Sequence, residues 1–157
     1  MQLSKNFSLA EATVSDTAAR HGVRNEPNYD QLQNMIKAAA NLQQLRDHLK
    51  RPIRVTSWLR TEALNKLIKG SSKTSAHMTG WAIDCHTDDM SPYELCKAAE
   101  KFLLESGIGF DQIIHEYGSW MHISFHPDNR KQTLTIFSNN KGYKYKPGIL
   151  TRDEYLK

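Results

Sequence analysis

The stretch 28–50 constrains the fold of this chain more than any other, because its apolar residues recur at steps of three and four. This spacing places them along one face of an α-helix, and such a face must be buried against another element. The apolar positions are Leu32, Met35, Ile36, Ala39, Leu42, Leu45 and Leu49. Pro52 ends the helix, and Ile53–Ser57 then alternates as a half-buried strand does. We therefore expect a core shared by helices and a sheet.

Capping residues and glycines mark shorter helices, and apolar runs mark further strands. Helices are predicted from Ser8 onward and over Ser15–Gly22, Thr61–Gly70 and Ser91–Gly107. Strands are predicted over Trp81–His86, Gln112–Glu116, Trp120–Phe125 and Gln132–Phe137. A turn at Gly118 joins the middle two strands into a hairpin, and the polar residues 138–157 fit a surface strand, an arm or a flexible tail. The sequence predicts an α+β fold, a small antiparallel sheet with helices packed on one side.

Length and composition exclude several classes of protein. The 157 residues suffice for one domain with its own core, and no apolar run approaches the roughly 20 residues of a membrane-spanning helix. The residues Met1–Phe7 lack the apolar segment of a signal peptide, so we expect the chain to stay in the cytoplasm unless another factor releases it.

The net charge of +4 favours anionic surroundings such as nucleic acid, a lipid surface or a wall polymer, or reflects only a solvated lysine-rich surface. The sequence holds two cysteines, Cys85 and Cys96, and two buried free thiols are expected rather than one disulfide.

Three residues suggest a metal site. His77 and Asp84 stand seven positions apart with Gly80 between them, and His122 follows in the predicted hairpin. Two imidazoles and one carboxylate are a common ligand set for catalytic zinc, with the fourth position left for water. Taken singly, each histidine is more often an ordinary surface or core residue, so the spacing alone is a weak indication.

Glu116 is the acidic residue closest to this group in the predicted hairpin. If the chain turns through Gly118–Trp120, Glu116 and His122 are directly opposed, with Cβ atoms roughly 4.5–5.5 Å apart. The carboxylate is then well placed to take a proton from an attacking water. The alternative role for Glu116 is a structural salt bridge.

The flanking residues make the pattern more specific. They form the series Ser75-x-His77-x-x-Gly80-x-Ala82-x-Asp84, then Glu116, then Trp120-x-His122. With the Asn6–Glu11 opening, the long helix and the Pro52–Arg60 segment, this series resembles the zinc D-alanyl-D-alanine carboxypeptidase family. That family belongs to a group that includes lysostaphin-type endopeptidases and the hedgehog signalling domain. Within it, the chain most resembles the small endolysin-like murein peptidases of phages and prophages.

The resemblance implies a role for each matching residue. His77, Asp84 and His122 match the ligands of a Zn²⁺ ion, held in a cleft on the sheet, and Glu116 matches the catalytic base. Arg60 matches an arginine that binds a substrate carboxylate or helps to polarise the scissile carbonyl, and a bidentate guanidinium suits either task.

Ser75 matches a serine that lines the substrate cleft or supports the metal ligands. The chain departs from the family pattern at Trp58-Leu59, where a glycine-tyrosine pair is usual before the arginine. This difference bears on substrate specificity rather than on the metal. His115 alternates away from Glu116 and is expected outside the cleft.

The predicted function is therefore a zinc metallopeptidase of one domain that hydrolyses an amide bond in peptidoglycan peptides. An endolysin-type endopeptidase would act as a monomer on stem peptides or cross-links of the cell wall after release. The alternative is a D-alanyl-D-alanine dipeptidase or carboxypeptidase. A non-catalytic zinc module of hedgehog type is a third possibility, which Glu116 argues against. No nucleic-acid partner is expected, because the lysines are scattered and only Lys141–Lys146 interleaves lysine with tyrosine.

Overall fold

The structure is a computed structural model that describes residues 1–68, 74–139 and 142–157. Its helices are α1 (Leu9–Thr13), α2 (Asp16–Arg20), α3 (Tyr29–Leu49), α4 (Glu62–Leu67), α5 (Pro92–Ser106) and α6 (Arg152–Leu156). Its strands are β1 (Arg54–Ser57), β2 (Ala82–His86), β3 (Gln112–Glu116), β4 (Trp120–Ser124), β5 (Gln132–Ile136), β6 (Ser138–Asn139), β7 (Gly142–Tyr143) and β8 (Lys146–Pro147). The predicted helices and strands are present, except that the expected helix end at Gly70 lies outside the described residues.

Side-chain caps begin the helices where the sequence places them. Ser8, Asn28 and Ser91 each form a reciprocal capping box with the residue three positions on, so that otherwise unpaired backbone N–H groups at the helix start find acceptors. The Ser15 hydroxyl caps α2 by accepting a hydrogen bond from the backbone N–H of Ala18. At the other end of α3, Lys50 takes a left-handed conformation with φ 56°, which stops the helix before Pro52.

The sheet has the order β1-β2-β4-β3-β5-β8. All its pairs are antiparallel except β3 with β5, which run parallel, so the predicted antiparallel sheet is confirmed as a mostly antiparallel one. The reason is topological. Strand β4 ends where β3 begins, and β5 starts from that same end of the sheet on the other side of β3.

The two faces of the sheet differ in what they contact. Ile83, Cys85, Ile113, Met121 and Ile123 point to one face and join the buried core. That core also contains the apolar stripe of α3 and the inner side of α5, which contacts β3 and β4. The opposite face carries the candidate site, since Asp84, Glu116 and His122 lie on it. The prediction of helices packed on one side is confirmed.

The C-terminal segment is anchored by Tyr155 of α6, which is buried. Its hydroxyl lies 2.6 Å from the carbonyl oxygen of Lys144 and 3.0 Å from that of Phe137. Strand β8 pairs with β5 as the edge of the main sheet. Of the alternatives left open for residues 138–157, the described part of the segment forms a surface strand that ends in an anchored helix.

Cys85 and Cys96 are buried free thiols, as predicted, and burial raises the pKa of both. None of the helices in the described ranges combines the length and the apolar character that crossing a membrane requires.

Candidate metal centre and substrate cleft

The loop that carries His77 is held against the start of α3. The side-chain amides of Gln31 and Asn34 donate to the carbonyl oxygens of Met78 (2.8 Å) and Thr79 (2.9 Å). Gly80 follows with φ 86°, a left-handed conformation that returns the chain to β2. A Cβ atom on Gly80 would lie 2.7 Å from Cγ of Met35 and 2.9 Å from the carbonyl oxygen of Gln31. The glycine thus permits both the turn and the contact with the helix.

Replacing Gly80 by alanine is expected to lower the free energy of unfolding by about 2–6 kcal/mol, since left-handed strain and overpacking each cost about 1–3 kcal/mol. The midpoint of urea unfolding at unchanged slope measures the loss. The matched control is Gly107→Ala, because Gly107 has φ 76° but no atom within 4 Å of an added Cβ. Equal losses for the two variants would contradict the role of the close contact.

His77 is oriented by Trp58. Its Nδ1 atom lies 2.7 Å from the carbonyl oxygen of Trp58, which can only accept, so Nδ1 carries the proton. The Nε2 atom therefore presents a lone pair, and it lies 3.3 Å from Oδ1 of Asp84. The Trp58 indole N–H donates in turn to the carbonyl oxygen of Gly80 (2.9 Å). The departure from the family pattern at Trp58-Leu59 consequently falls on two buried residues, neither of which lines the cleft.

Strand register brings Asp84 and His122 together. They are directly paired between β2 and β4, and Nδ1 of His122 lies 3.0 Å from Oδ1 of Asp84. One ligand atom from each of His77, Asp84 and His122 lies within 4.8 Å of the others, and all three residues are buried. A tetrahedral zinc ion with ligand bonds near 2.0–2.1 Å separates its donor atoms by roughly 3.3 Å. The observed separations of 3.0 and 3.3 Å fit a zinc ion.

The charges of the group also suit a cation. Burial opposes ionisation of Asp84, but the two histidines more than offset it and lower the pKa of this carboxyl. Burial likewise opposes protonation of His122, yet its hydrogen bond to Asp84 raises the pKa of the imidazole. A buried carboxylate needs such a positive partner to compensate its lost hydration, and a divalent metal ion would supply it.

Glu116 reaches the group from the neighbouring strand, although not by the expected pairing. The turn takes only Tyr117–Ser119, so Glu116 pairs with Trp120 and His122 with Ile114. The prediction that Glu116 and His122 are directly opposed is wrong. Tyr117 (φ 58°) and Gly118 (φ 65°) are both left-handed, which closes the hairpin earlier. The cross-strand partner of Glu116 is thus two residues away from the expected one. Because side chains alternate between the two faces of a sheet, Glu116 stays on the same face as His122.

One oxygen of the Glu116 carboxylate is held by a hydrogen bond, and the other lies near His122. Oε1 lies 3.6 Å from Nδ1 of His122, and Oε2 accepts a hydrogen bond from the Trp120 indole N–H at 3.1 Å. Burial raises the pKa of Glu116 to about 7, against the opposing effect of His122. The residue therefore lies beside the three possible ligands, with a pKa suited to proton transfer near neutral pH.

Arg60 and Ser75 lie on the wall of the same cleft. The backbone N–H of Arg60 donates to the carbonyl oxygen of His77 at 3.0 Å, which ties the arginine to the ligand loop. Burial lowers the pKa of Arg60, while the charges of Asp84 and Glu116 raise it. The Ser75 hydroxyl accepts from the backbone N–H of His77 at 3.2 Å, so it supports this loop as well as lining the cleft.

The cleft has a volume of about 840 Å³ and extends to both sides of the His77, Asp84 and His122 group. At the end near Glu116 it is lined by Tyr117, Trp120 and Tyr145, and the opposite end is polar. Tyr145 comes from the C-terminal segment, and no sequence signal pointed to it. His115 is outside the lining, as predicted, because it lies on the helix side and its Nδ1 atom contacts the carbonyl oxygen of Leu150.

A buried pair of histidines with an aspartate, beside a glutamate in an open cleft, defines a metal-dependent hydrolase. A family model described as Peptidase M15 matches residues 5–124. The chain thus belongs to the Peptidase M15 family of D-Ala-D-Ala carboxypeptidase-like zinc peptidases, with His77, Asp84 and His122 as its candidate metal site. No curated protein matched the chain. Residues 125–157 lie beyond the matched range.

Proposed function

We propose that this zinc peptidase hydrolyses an amide bond in the peptide part of peptidoglycan. In this proposal His77, Asp84 and His122 hold the zinc ion and Glu116 is the catalytic base. The observation that carries it is the placement of Glu116, whose Oε1 atom lies 3.6 Å from the imidazole of His122 within the substrate cleft. A purely structural metal site has no need of a free carboxylate there.

The bound zinc would supply Lewis acidity, which polarises a carbonyl oxygen and lowers the pKa of water. Glu116 takes a proton from the attacking water and later donates it to the leaving amine. The hydrogen bond from Trp120 holds Oε2 and leaves Oε1 directed toward the ligand group. Glu116 is thus held in place both to accept the proton from water and to donate it to the leaving amine.

Arg60 lines the cleft and presents a cation to a bound substrate. The planar N–H groups of its guanidinium suit a carboxylate or a carbonyl oxygen of the substrate. In the proposal Arg60 orients the peptide or stabilises the developing oxyanion, and Ser75 holds the loop that presents His77.

Among the possible substrates, the shape of the cleft favours an extended peptide. It continues beyond Glu116 at one end and beyond Ile114 at the other. A dipeptidase or carboxypeptidase needs to enclose only a short peptide end, whereas an endopeptidase of endolysin type must admit chain on both sides of the scissile bond. We propose that one copy of the chain, as a single domain, acts on stem peptides or cross-links after release to the wall. The net charge of +4 suits that anionic polymer.

The test is digestion of purified cell walls. With zinc present we expect lysis, its loss on addition of a chelator, and its return when zinc is restored. Mass spectrometry of the soluble muropeptides should show cuts inside the stem peptides or cross-links. Release of terminal D-alanine alone would instead indicate the carboxypeptidase alternative. Unchanged muropeptides in the presence of zinc-loaded protein would contradict the proposed activity and leave the binding module as the better hypothesis.

A further inference from the structure

The end of the cleft away from Glu116 contains charged residues that the proposed chemistry does not use. It is lined by Asp111, Gln112, His126, Asp128, Arg130 and Gln132. Gln112 and Gln132 pair across β3 and β5, and the side-chain amide of Gln112 donates to that of Gln132 at 2.7 Å. Each lies two residues before the next pair on the same face, Ile114 and Leu134, and Ile114 is paired with His122. At about 3.3 Å per residue, this end lies about 7 Å along the strands from the His122 row.

Arg130 is held rigidly at this end by Asp111. Its Nε and Nη2 atoms donate to the two carboxylate oxygens at 2.9 and 2.8 Å, and its backbone N–H donates to Oδ1 at 3.1 Å. The Asp111 side chain is only 5% exposed, whereas that of Arg130 is 53% exposed. The hydrogen bond from Arg130 lowers the pKa of Asp111. The pair is therefore charged and fixed, with the guanidinium on the cleft side.

The backbone around Arg130 is fixed as well. Asn129 (φ 56°) and Lys131 (φ 54°) are both left-handed, which is unusual for residues other than glycine. The N–H groups of Lys131 and Gln132 donate to the carbonyl oxygens of Phe110 and Asp111 at 3.1 and 3.0 Å. These contacts preorganise the arginine before any ligand arrives.

The guanidinium retains binding capacity after Asp111 is satisfied. Its Nη1 atom has no hydrogen-bond partner among the residues that the structure describes. Arginine presents its N–H groups as a planar fork, which suits a carboxylate. Asp128, whose side chain is 70% exposed, lies two residues away and also lines the cleft. Its carboxylate lies 3.5 Å from Nδ1 of His126, and that same atom accepts a hydrogen bond from the backbone N–H of Asp128 at 3.1 Å. This end thus offers a fixed cation next to an exposed anion.

Such a pair of charges fits a zwitterion better than a simple anion, because Asp128 repels a second negative group. In a linear peptide, the free amino and carboxylate termini lie at opposite ends of the chain. Both groups occur on one carbon only in a side chain that is itself an amino-acid head group, as in a diaminopimelate residue. An extended peptide covers the 7 Å from the His122 row in about two residues.

We propose that this end of the cleft binds an amino-acid head group of the substrate, with Arg130 on the carboxylate and Asp128 on the neighbouring ammonium group. The inference rests on the proposed peptidase function and narrows its substrate to peptides with a diaminopimelate-type side chain near the scissile bond. Arg130 is a specificity residue in this assignment, and Asp111 is the residue that positions it.

The test uses two synthetic stem peptides that differ only in diaminopimelate or lysine, so that a single carboxylate is gained or lost. The wild-type protein is expected to show a KM roughly ten- to hundredfold lower for the diaminopimelate peptide at similar kcat, the range expected for one charge-assisted hydrogen bond. Arg130→Gln should raise that KM to the value for the lysine peptide and leave the lysine peptide unaffected. Arg130→Lys keeps a cation beside the buried Asp111, so it should fold even if the glutamine variant does not. It should also lose the preference for the diaminopimelate peptide, because lysine lacks the planar fork of N–H groups.

The matched control is Arg54→Gln, which removes the same charge from an ion pair with Asp88 away from the cleft. It should retain the full preference. Equal cleavage of both peptides by the wild type, or equal losses on both in the Arg130 variants, would overturn the subsite while leaving the peptidase function standing. Calorimetry with the Glu116→Gln protein measures binding of the two peptides without turnover. A preference in Kd that depends on Arg130, together with no cleavage of either peptide by the zinc-loaded wild type, would support the subsite and contradict the catalytic proposal.

Discussion

Replacing Glu116 by glutamine is expected to lower kcat by about two to four orders of magnitude, the usual contribution of a general acid–base residue. Glutamine keeps the shape of the side chain and can still accept the hydrogen bond from Trp120, but it cannot take up a proton. Glu116 contributes no atom to the group of three possible ligands, so zinc content should stay near that of the wild type. Muropeptide release and metal analysis on the same preparation measure the two quantities.

The matched control for this change is Glu62→Gln. Glu62 lies on α4 with a side chain that is 74% exposed, and it forms an ion pair with Lys66. The substitution removes the same charge at an exposed position outside the cleft, and wall lysis should be unchanged. Near-normal lysis by the Glu116 variant would show that another group acts as the base.

Replacing His122 by alanine is expected to remove both zinc and turnover. His122 is one of the three buried residues proposed as zinc ligands, and its loss leaves Asp84 with one imidazole partner instead of two. Residues that only orient a metal ligand cost roughly ten- to hundredfold in affinity, so losing a ligand should weaken zinc binding by at least about hundredfold. Zinc titration by calorimetry measures this, and circular dichroism checks that the variant is folded.

His86→Ala is the control for the histidine change. His86 ends β2, two residues after Asp84, but it does not line the cleft. Its removal should leave zinc affinity and lysis intact. Zinc should raise the Tm of the wild type and of His86→Ala, because a ligand that binds the folded state stabilises it, and should not raise that of His122→Ala. A folded His122→Ala protein that binds zinc as tightly as the wild type would refute the proposed ligand set.

Features that depend on near neighbours could be read from the amino-acid order. The boundaries of α3 follow from Asn28, which caps one end, and from Pro52, which prevents continuation at the other. The sequence could predict that His77 and Asp84 belong to one site, because the loop between them is short. The glycine in that loop, Gly80, has a defined backbone role. Helix caps, apolar periodicity and ligand spacing each involve residues within a few positions of one another, so the sequence carries them directly.

The relative placement of distant segments depended on the tertiary structure. The register of Glu116 and His122 was set by two left-handed residues in a turn, Tyr117 and Gly118, and only the second is a glycine. The Asp111–Arg130 pair joins residues 19 positions apart. Tyr145, which lines the cleft, follows Lys144, whose carbonyl oxygen contacts the hydroxyl of the buried Tyr155.

The physical reason is that register and long-range ion pairs are fixed by the packing of whole elements and by turn geometry. When the centre of a turn shifts by one residue along the chain, every cross-strand partner moves by two positions. The order of residues, with its resemblance to the family, therefore indicated which side chains form the candidate metal centre. The folded chain decided how Glu116 reaches it, and which charges line the far end of the cleft.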